Sequence, residues 1–474
     1  MTPRARNHIV AGGGISGLLA ALLLAESGRA GSIHLIERED EIGGLLRSFD
    51  YGEYGRFDYG MHNMYETGVR ELDELLFGLL PAGQWQLLEG NKRDLAGLYF
   101  NGRLQRNSLY MDLRHFPGDA YEKCVSGFFA NFNHHDGFSA KNARSYAETR
   151  FGGPIAEFAV VPAIGKIFKR DPAEMDVMAA MLTSIDRVIL FDESRMLELM
   201  KTDALSARLA YPEQRTLPVG RASGRKGYYP RDYGMHRVVD AFHQRLLAAG
   251  VRILTGAQIK QVGRDGARIT EVDVSLRDGS ERITEVGGLY WTAGLPALAP
   301  LLKISLEGLG FDRPLRTIAV NLLLDRDTRM DDLYYFYCYD AGLDTFRVTN
   351  FLGYCAHARR AGGTPICVEL LTKDYDQADT RAYERQALAE LERFGILAAG
   401  TRTLFAKAEP LAYGFPMPTL RNVATLHAIR ERIDALGIEN LVKLGILAEP
   451  RLFFQKDVVA HTFARVRASR EQLS

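Results

Sequence analysis

The hydrophobic pattern is sharpest at the start of the chain. A short apolar run at residues 8–11 leads into Gly12-Gly13-Gly14-Ile15-Ser16-Gly17, and then into Leu18-Leu19-Ala20-Ala21-Leu22-Leu23-Leu24-Ala25. Apolar residues on both sides of the glycines predict a strand, a tight turn and a helix. A second apolar run, 33–36, predicts another strand and ends in Glu37. Further on, Val238, Val239, Phe242, Leu246 and Leu247 recur at helical spacing, and Gly250 ends that helix. Short strands are predicted at 251–254, 257–262, 268–276 and 288–292, with turns at Asp265-Gly266 and Asp278-Gly279. Strand-like content also marks 317–324, 333–339, 345–351 and 366–371, where short links favour antiparallel pairing. Residues 81–227 read as largely helical, with breaks at Pro117, Gly152-Gly153-Pro154, Pro162, Pro172 and Pro212.

The glycines have distinct tasks. Gly12 permits the tight turn, and Gly14 lets the backbone approach a pyrophosphate. Gly17 lets the helix pack on the strand, and the helix N-terminus at Ile15 and Ser16 faces the phosphate charge. Glu37, at the end of the second strand, is placed to accept hydrogen bonds from a ribose hydroxyl. Strand, glycine turn, helix and acid together predict a dinucleotide site.

Two further segments point to a family. They are Gly43-Gly44-Leu45-Leu46-Arg47-Ser48 and Arg56-Phe57-Asp58-Tyr59-Gly60-Met61-His62. With the acid before them, they resemble the FAD proteins of the amine oxidase and protoporphyrinogen oxidase superfamily. Within it, the chain is most similar to the UDP-galactopyranose mutase-like branch. That resemblance rests on Gly60-Met61-His62, Gln105-Arg106-Asn107, the stretch from Phe151-Gly152-Gly153 to Pro162 and Lys166, Phe346-Arg347-Val348-Thr349-Asn350, Tyr413-Gly414-Phe415-Pro416-Met417-Pro418-Thr419, and Leu444-Gly445 through Phe454-Gln455-Lys456-Asp457.

The resemblance implies an α/β fold: a Rossmann-like FAD-binding domain with an inserted helical and antiparallel-sheet substrate domain. Residues 1–80, 228–296 and 405–474 would form the discontinuous FAD domain. Residues 81–227, mostly helical, and 297–404, an antiparallel sheet, would form the substrate domain. It implies FAD contacts from Gly12, Gly14, Ile15, Ser16, Gly17, Glu37, Arg38, Gly44, Leu45, Gly60, Met61, His62, Ile259, Gly445, Lys456, Asp457 and Val458. It implies catalytic roles for His62 beside the flavin, and for Arg347 and Tyr413 against substrate phosphates. NAD(P)H is a candidate reductant.

The activity so implied is redox-neutral chemistry on a sugar nucleotide or related glycosyl compound at the N5 position of reduced flavin. The alternative is an oxidase, dehydrogenase or desaturase of the same superfamily, and a third reading is a non-catalytic flavin-binding protein. Two departures matter. Ala163-Ile164 and Phe168 stand where the mutases carry Tyr-Asn and Trp, and Gly445-Ile446 replaces their Gly-Arg. Both changes remove polar groups that a uridine diphosphate would need.

Composition narrows the partners. The 474 residues carry 59 Lys plus Arg against 59 Asp plus Glu, so bulk charge favours neither nucleic acid nor an anionic membrane. A small-molecule substrate, with phosphate as a candidate group, is the expected partner. No apolar run is long enough to span a bilayer. The glycines within 4–25 fit a nucleotide turn better than a signal peptide. Cys124, Cys338, Cys355 and Cys367 show no metal-type spacing and suit a reducing, cytoplasmic setting. His134-His135-Asp136 looks like a metal fragment, but neighbours on an extended chain point apart, so no metal site is expected. The strand 333–339 should turn Tyr335, Tyr337 and Tyr339 to one face. Oligomeric state has no signal in the sequence.

Overall fold

The computed structural model describes residues 6–27, 31–131, 137–376, 379–411 and 415–473. A five-stranded parallel sheet holds the first lobe. Its order is Arg252–Leu254, Ile33–Ile36, Asn7–Ala11, Val286–Trp291 and Leu441–Lys443. Side-chain alternation divides its two faces. Val10, Leu35, Tyr290 and Val442 join the core beneath the helices Ile15–Ala25, His236–Ala248 and Gln455–Leu473. Ile9, Ala11, Ile36, Leu289 and Trp291 join a second core under the antiparallel meander Gln258–Asp265, Arg268–Leu276 and Gly279–Thr284. The helix Ile15–Ala25 is apolar all round because the sheet and two other helices enclose it.

The second lobe centres on a seven-stranded sheet. Its order is Thr403–Pro410, Arg316–Leu324, Thr364–Thr372, Thr345–Asn350, Tyr335–Cys338, Ala96–Phe100 and Arg103–Gln105. All pairs are antiparallel except Tyr335–Cys338 beside Ala96–Phe100. One face is apolar: Val320, Phe336, Val348 and Val368 pack with Tyr383, Ala387 and Leu391 of the helix Thr380–Arg393. The other face carries Tyr335, Tyr337, Arg347, Glu369 and Asn321. A helical layer, including Gly118–Ala130, Ala143–Phe151 and Val161–Phe168, adds its own core. Lys166 ties that layer to the sheet, its Nζ donating to the carbonyls of Cys338, at 2.6 Å, and of Thr345.

Two details differ from the division read from the sequence. The stretch 81–227, expected to be mostly helical, supplies the strands Ala96–Phe100 and Arg103–Gln105 to the sheet. Ala96–Phe100 is buried at every residue, and sheet pairing is how so short an apolar run satisfies its backbone. The edge strand Thr403–Pro410 also crosses the expected boundary at 405, because it pairs along Arg316–Leu324. Among the described residues, no helix is long and apolar enough to cross a membrane.

Candidate flavin site

The site forms at the carboxyl ends of the parallel strands, where an open α/β sheet leaves a crevice. Gly12 has φ +101°, and a Cβ there would lie 2.4 Å from Thr292 Oγ1. A Cβ on Gly17 would lie 1.8 Å from the Gly12 carbonyl oxygen, so strand and helix meet backbone to backbone. Gly14 caps the helix without a side-chain bond, and an added Cβ there would meet nothing within 4 Å. The helix N-terminus, with no acid in its first turn, thus opens onto free space. Across it stands the second glycine loop: Gly43 N donates to Gly13 O at 2.7 Å, and a Cβ on Gly44 would lie 3.1 Å from Gly14 Cα. This cradle fits the diphosphate of a dinucleotide.

Glu37 is buried and fixed from two sides. Its Oε2 accepts from Gly13 N at 2.6 Å and its Oε1 from Glu39 N at 2.8 Å. Each oxygen keeps a lone pair for a ribose hydroxyl. Ala257 N donates to the Glu37 carbonyl, which brings the start of the strand with Ile259 alongside. Gly445, at φ +85°, closes the far side against Thr292. Leu45 lies in the short turn Gly44–Leu46, and Met61 is buried in the same core as Leu46. Lys456, Asp457 and Val458 open the last helix, where Val458 is buried and Lys456 pairs with Asp457 at 4.0 Å. Arg38 is largely exposed and pairs with Glu39 at 3.1 Å.

The strand Arg56–Asp58 leads into the turn carrying Gly60, Met61 and His62. Asp58 is fully enclosed and accepts from Ser48 Oγ and Tyr229 Oη, both at 2.6 Å, and from Met235 N at 3.1 Å. Burial pushes its pKa up to about 6, against the pull of those donors and of Arg360. His62 Nε2 donates to the Tyr59 carbonyl at 3.1 Å, leaving Nδ1 as the ring's acceptor. Burial, and then the Arg347 charge, lower the His62 pKa to about 4, so the ring is neutral at pH 7.

Arg347 faces this turn, but its fork is engaged. Nε donates to Glu369 Oε2 at 2.5 Å and Nη2 to Oε1 at 2.9 Å. Glu369 in turn lies against Gly60, where a Cβ would come within 2.8 Å of Oε1. The side-on pair of donors, Nε and Nη2, thus already holds a carboxylate. Register explains the pairing, since Tyr337, Arg347 and Glu369 stand opposite one another on three neighbouring strands. Beside them, Tyr335 Oη donates to Asp94 Oδ1 at 2.9 Å, and burial raises the Asp94 pKa. Tyr335, Tyr337 and Tyr339 do share one face, with centroids 5.3 and 6.1 Å apart in sequence.

Other residues singled out in the sequence have different places. Ala163, Ile164 and Phe168 are buried in the core of the helical layer. Gln105 spends its amide on Tyr110 O and Asp112 N. Tyr413 and His134-His135-Asp136 lie outside the described residues. Glu369 and Asp94 were not foreseen. Glu369 had a signal, as the single charge inside the apolar strand Thr364–Thr372, where a buried carboxylate requires a partner.

A family model described as an NAD(P)-binding Rossmann-like domain matches residues 10–76. Among curated proteins, none matches this sequence. Solved structures do. A reduced UDP-galactopyranose mutase superposes with TM-score 0.75 at 15% identity, over 99% of this chain and 94% of its own. A protoporphyrinogen oxidase-like protein of Exiguobacterium sp. 255-15 gives 0.68 at 15% identity, over 98% and 99%. A redesigned putrescine oxidase gives 0.59 at 13%, over 99% of each chain. The chain shares its overall fold with these solved structures. At these identities the likeness speaks for the fold, and fold alone does not fix the reaction.

Proposed function

We propose that the chain is an FAD-dependent oxidoreductase that passes hydride between flavin and a small substrate carrying no diphosphate. The Arg347–Glu369 pair carries this reading, because it neutralises the one cation expected to hold a diphosphate. The cradle of Gly12, Gly14, Gly17 and Gly44, with Glu37, fits FAD. When bound, FAD supplies hydride transfer at N5. Within the chain, Gly60 brings the turn close to the sheet, and neutral His62 offers Nδ1 as a hydrogen-bond acceptor. With a pKa of about 4 it positions a donor better than it abstracts a proton at pH 7. Arg347 and Glu369 give the wall a polar but charge-balanced patch. The four buried, unpaired cysteines support a reducing, cytoplasmic setting.

A second reading has its own support. The polar cluster of Tyr335, Tyr337 and Asp94, in which Tyr335 Oη donates to Asp94, suits a hydroxyl-rich glycosyl substrate, as mutase-like, redox-neutral chemistry would require. Anaerobic reduction with NADPH or dithionite, followed by oxygen, separates the two. Reoxidation with peroxide, or stoichiometric reduction of an acceptor during turnover, supports hydride transfer. A reduced flavin that persists, with substrate isomerised and no net oxidant used, supports the mutase reading and overturns the first.

A further inference from the structure

A second pocket lies apart from the glycine cradle, between the strand Arg56–Asp58, the start of the helix His236–Ala248 and the turn Ala356–Ala358. Its volume is about 320 Å³, and Arg56, Arg237, Arg360, His236 and His357 line it. Its acids are largely spoken for. Asp232 pairs with His357 Nδ1 at 3.1 Å, and Asp50 pairs with Arg56 Nε at 3.0 Å. No ion pair among the described residues engages Arg237 or Arg360. The helix adds its N-terminal dipole, with no acid in the first turn.

Arg360 makes the strongest case. Its Nη1 donates to the Arg56 carbonyl, and its guanidinium sits 4.0 Å above the Tyr233 ring and 4.6 Å from that of Phe57. Stacking fixes the plane of the fork. The guanidinium also bonds the Tyr233 hydroxyl, and its charge acts on the enclosed Asp58. Burial first, and then Arg56 and Arg237 against the opposing pull of Asp240 and Asp50, hold the pKa of His236 down at about 4.

We propose that this pocket binds a phosphate group, as the free anion or as a monoester, separately from the flavin site. Planar guanidinium forks and a helix N-terminus are the donors a phosphate uses. The volume leaves room for a small organic group on the ester oxygen.

The test is isothermal titration of FAD-loaded protein, whose cradle is filled, at constant ionic strength. One arm uses inorganic phosphate and the other glucose 1-phosphate. Saturable binding at one site per chain is expected from at least one probe, and the stronger binder tells which source the pocket serves. Arg237 is exposed, so Arg237→Gln should keep the melting temperature while weakening binding roughly tenfold or more. Saturation by neither probe, or binding unchanged in Arg237→Gln, overturns the proposal.

Discussion

Removing the Glu369 carboxylate would leave Arg347 as a buried cation without its partner. The two side chains are 14% and 7% exposed, and both donors of the fork are engaged. Breaking such a pair from one side costs about 3–5 kcal/mol, because the remaining charge stays desolvated. Here the rings of Tyr335, Tyr337 and Phe346, with centroids 6.0, 5.9 and 6.0 Å from the guanidinium, soften the loss and favour the lower end. Glu369→Ala is therefore expected to cost about 3 kcal/mol in urea unfolding at pH 7. Replacing both residues by Met removes charge and countercharge together. That double variant should be more stable than either single one, since a buried pair gains little over apolar residues of similar volume. A cost under about 1 kcal/mol for Glu369→Ala, or a double variant that loses the sum of its parts, would refute the claim that the pair is buried and coupled.

Other consequences follow from the same geometry. Gly17→Ala places a Cβ against a carbonyl oxygen that cannot swing aside; it should destabilise the fold by about 3 kcal/mol and abolish flavin retention, read by unfolding and by bound flavin after gel filtration. Glu37→Gln trades the charged acceptor of two amides for a neutral one, and should weaken flavin affinity roughly tenfold in an equilibrium titration. Asp58 has a raised pKa, so its stabilising contribution is complete below about 4 and is lost as pH rises towards about 6. His62, with a lowered pKa, acts oppositely: its contribution is present above about 6.5 and is lost as pH falls towards about 4. Asp58→Asn should therefore steepen the loss of stability on acidification between pH 6 and 4, as measured by urea midpoints across that range. An NMR titration of His62 should find its midpoint near 4, and a midpoint near 6.5 would remove the Arg347 charge and the burial from its surroundings.

The glycine turn between the first strand and helix was legible in the sequence because its causes are local. Gly12, Gly14 and Gly17 are set by the turn and by one helix on one strand, and Glu37 ends the neighbouring strand. The helix at 236–248 was legible for the same reason, from its spaced apolar positions. What the sequence hid was register. Whether Arg347 meets a phosphate or Glu369 depends on the alignment of two strands whose linking segment is itself irregular, and no spacing rule encodes it. Ala96–Phe100 was hidden too, since a five-residue apolar run fits a buried helix turn as well as a strand until a partner strand decides. Asp58 was noticed as part of a motif, but its enclosure by Tyr229 and Met235 comes from residues far along the chain.

The central claim is a flavin held by the glycine cradle, and the most direct measurement is the visible spectrum and flavin content of the purified protein, before and after incubation with FAD. The account predicts a yellow protein that carries, or takes up, one FAD per chain and releases it as FAD on denaturation. A colourless protein that fails to bind added FAD while remaining folded would contradict it.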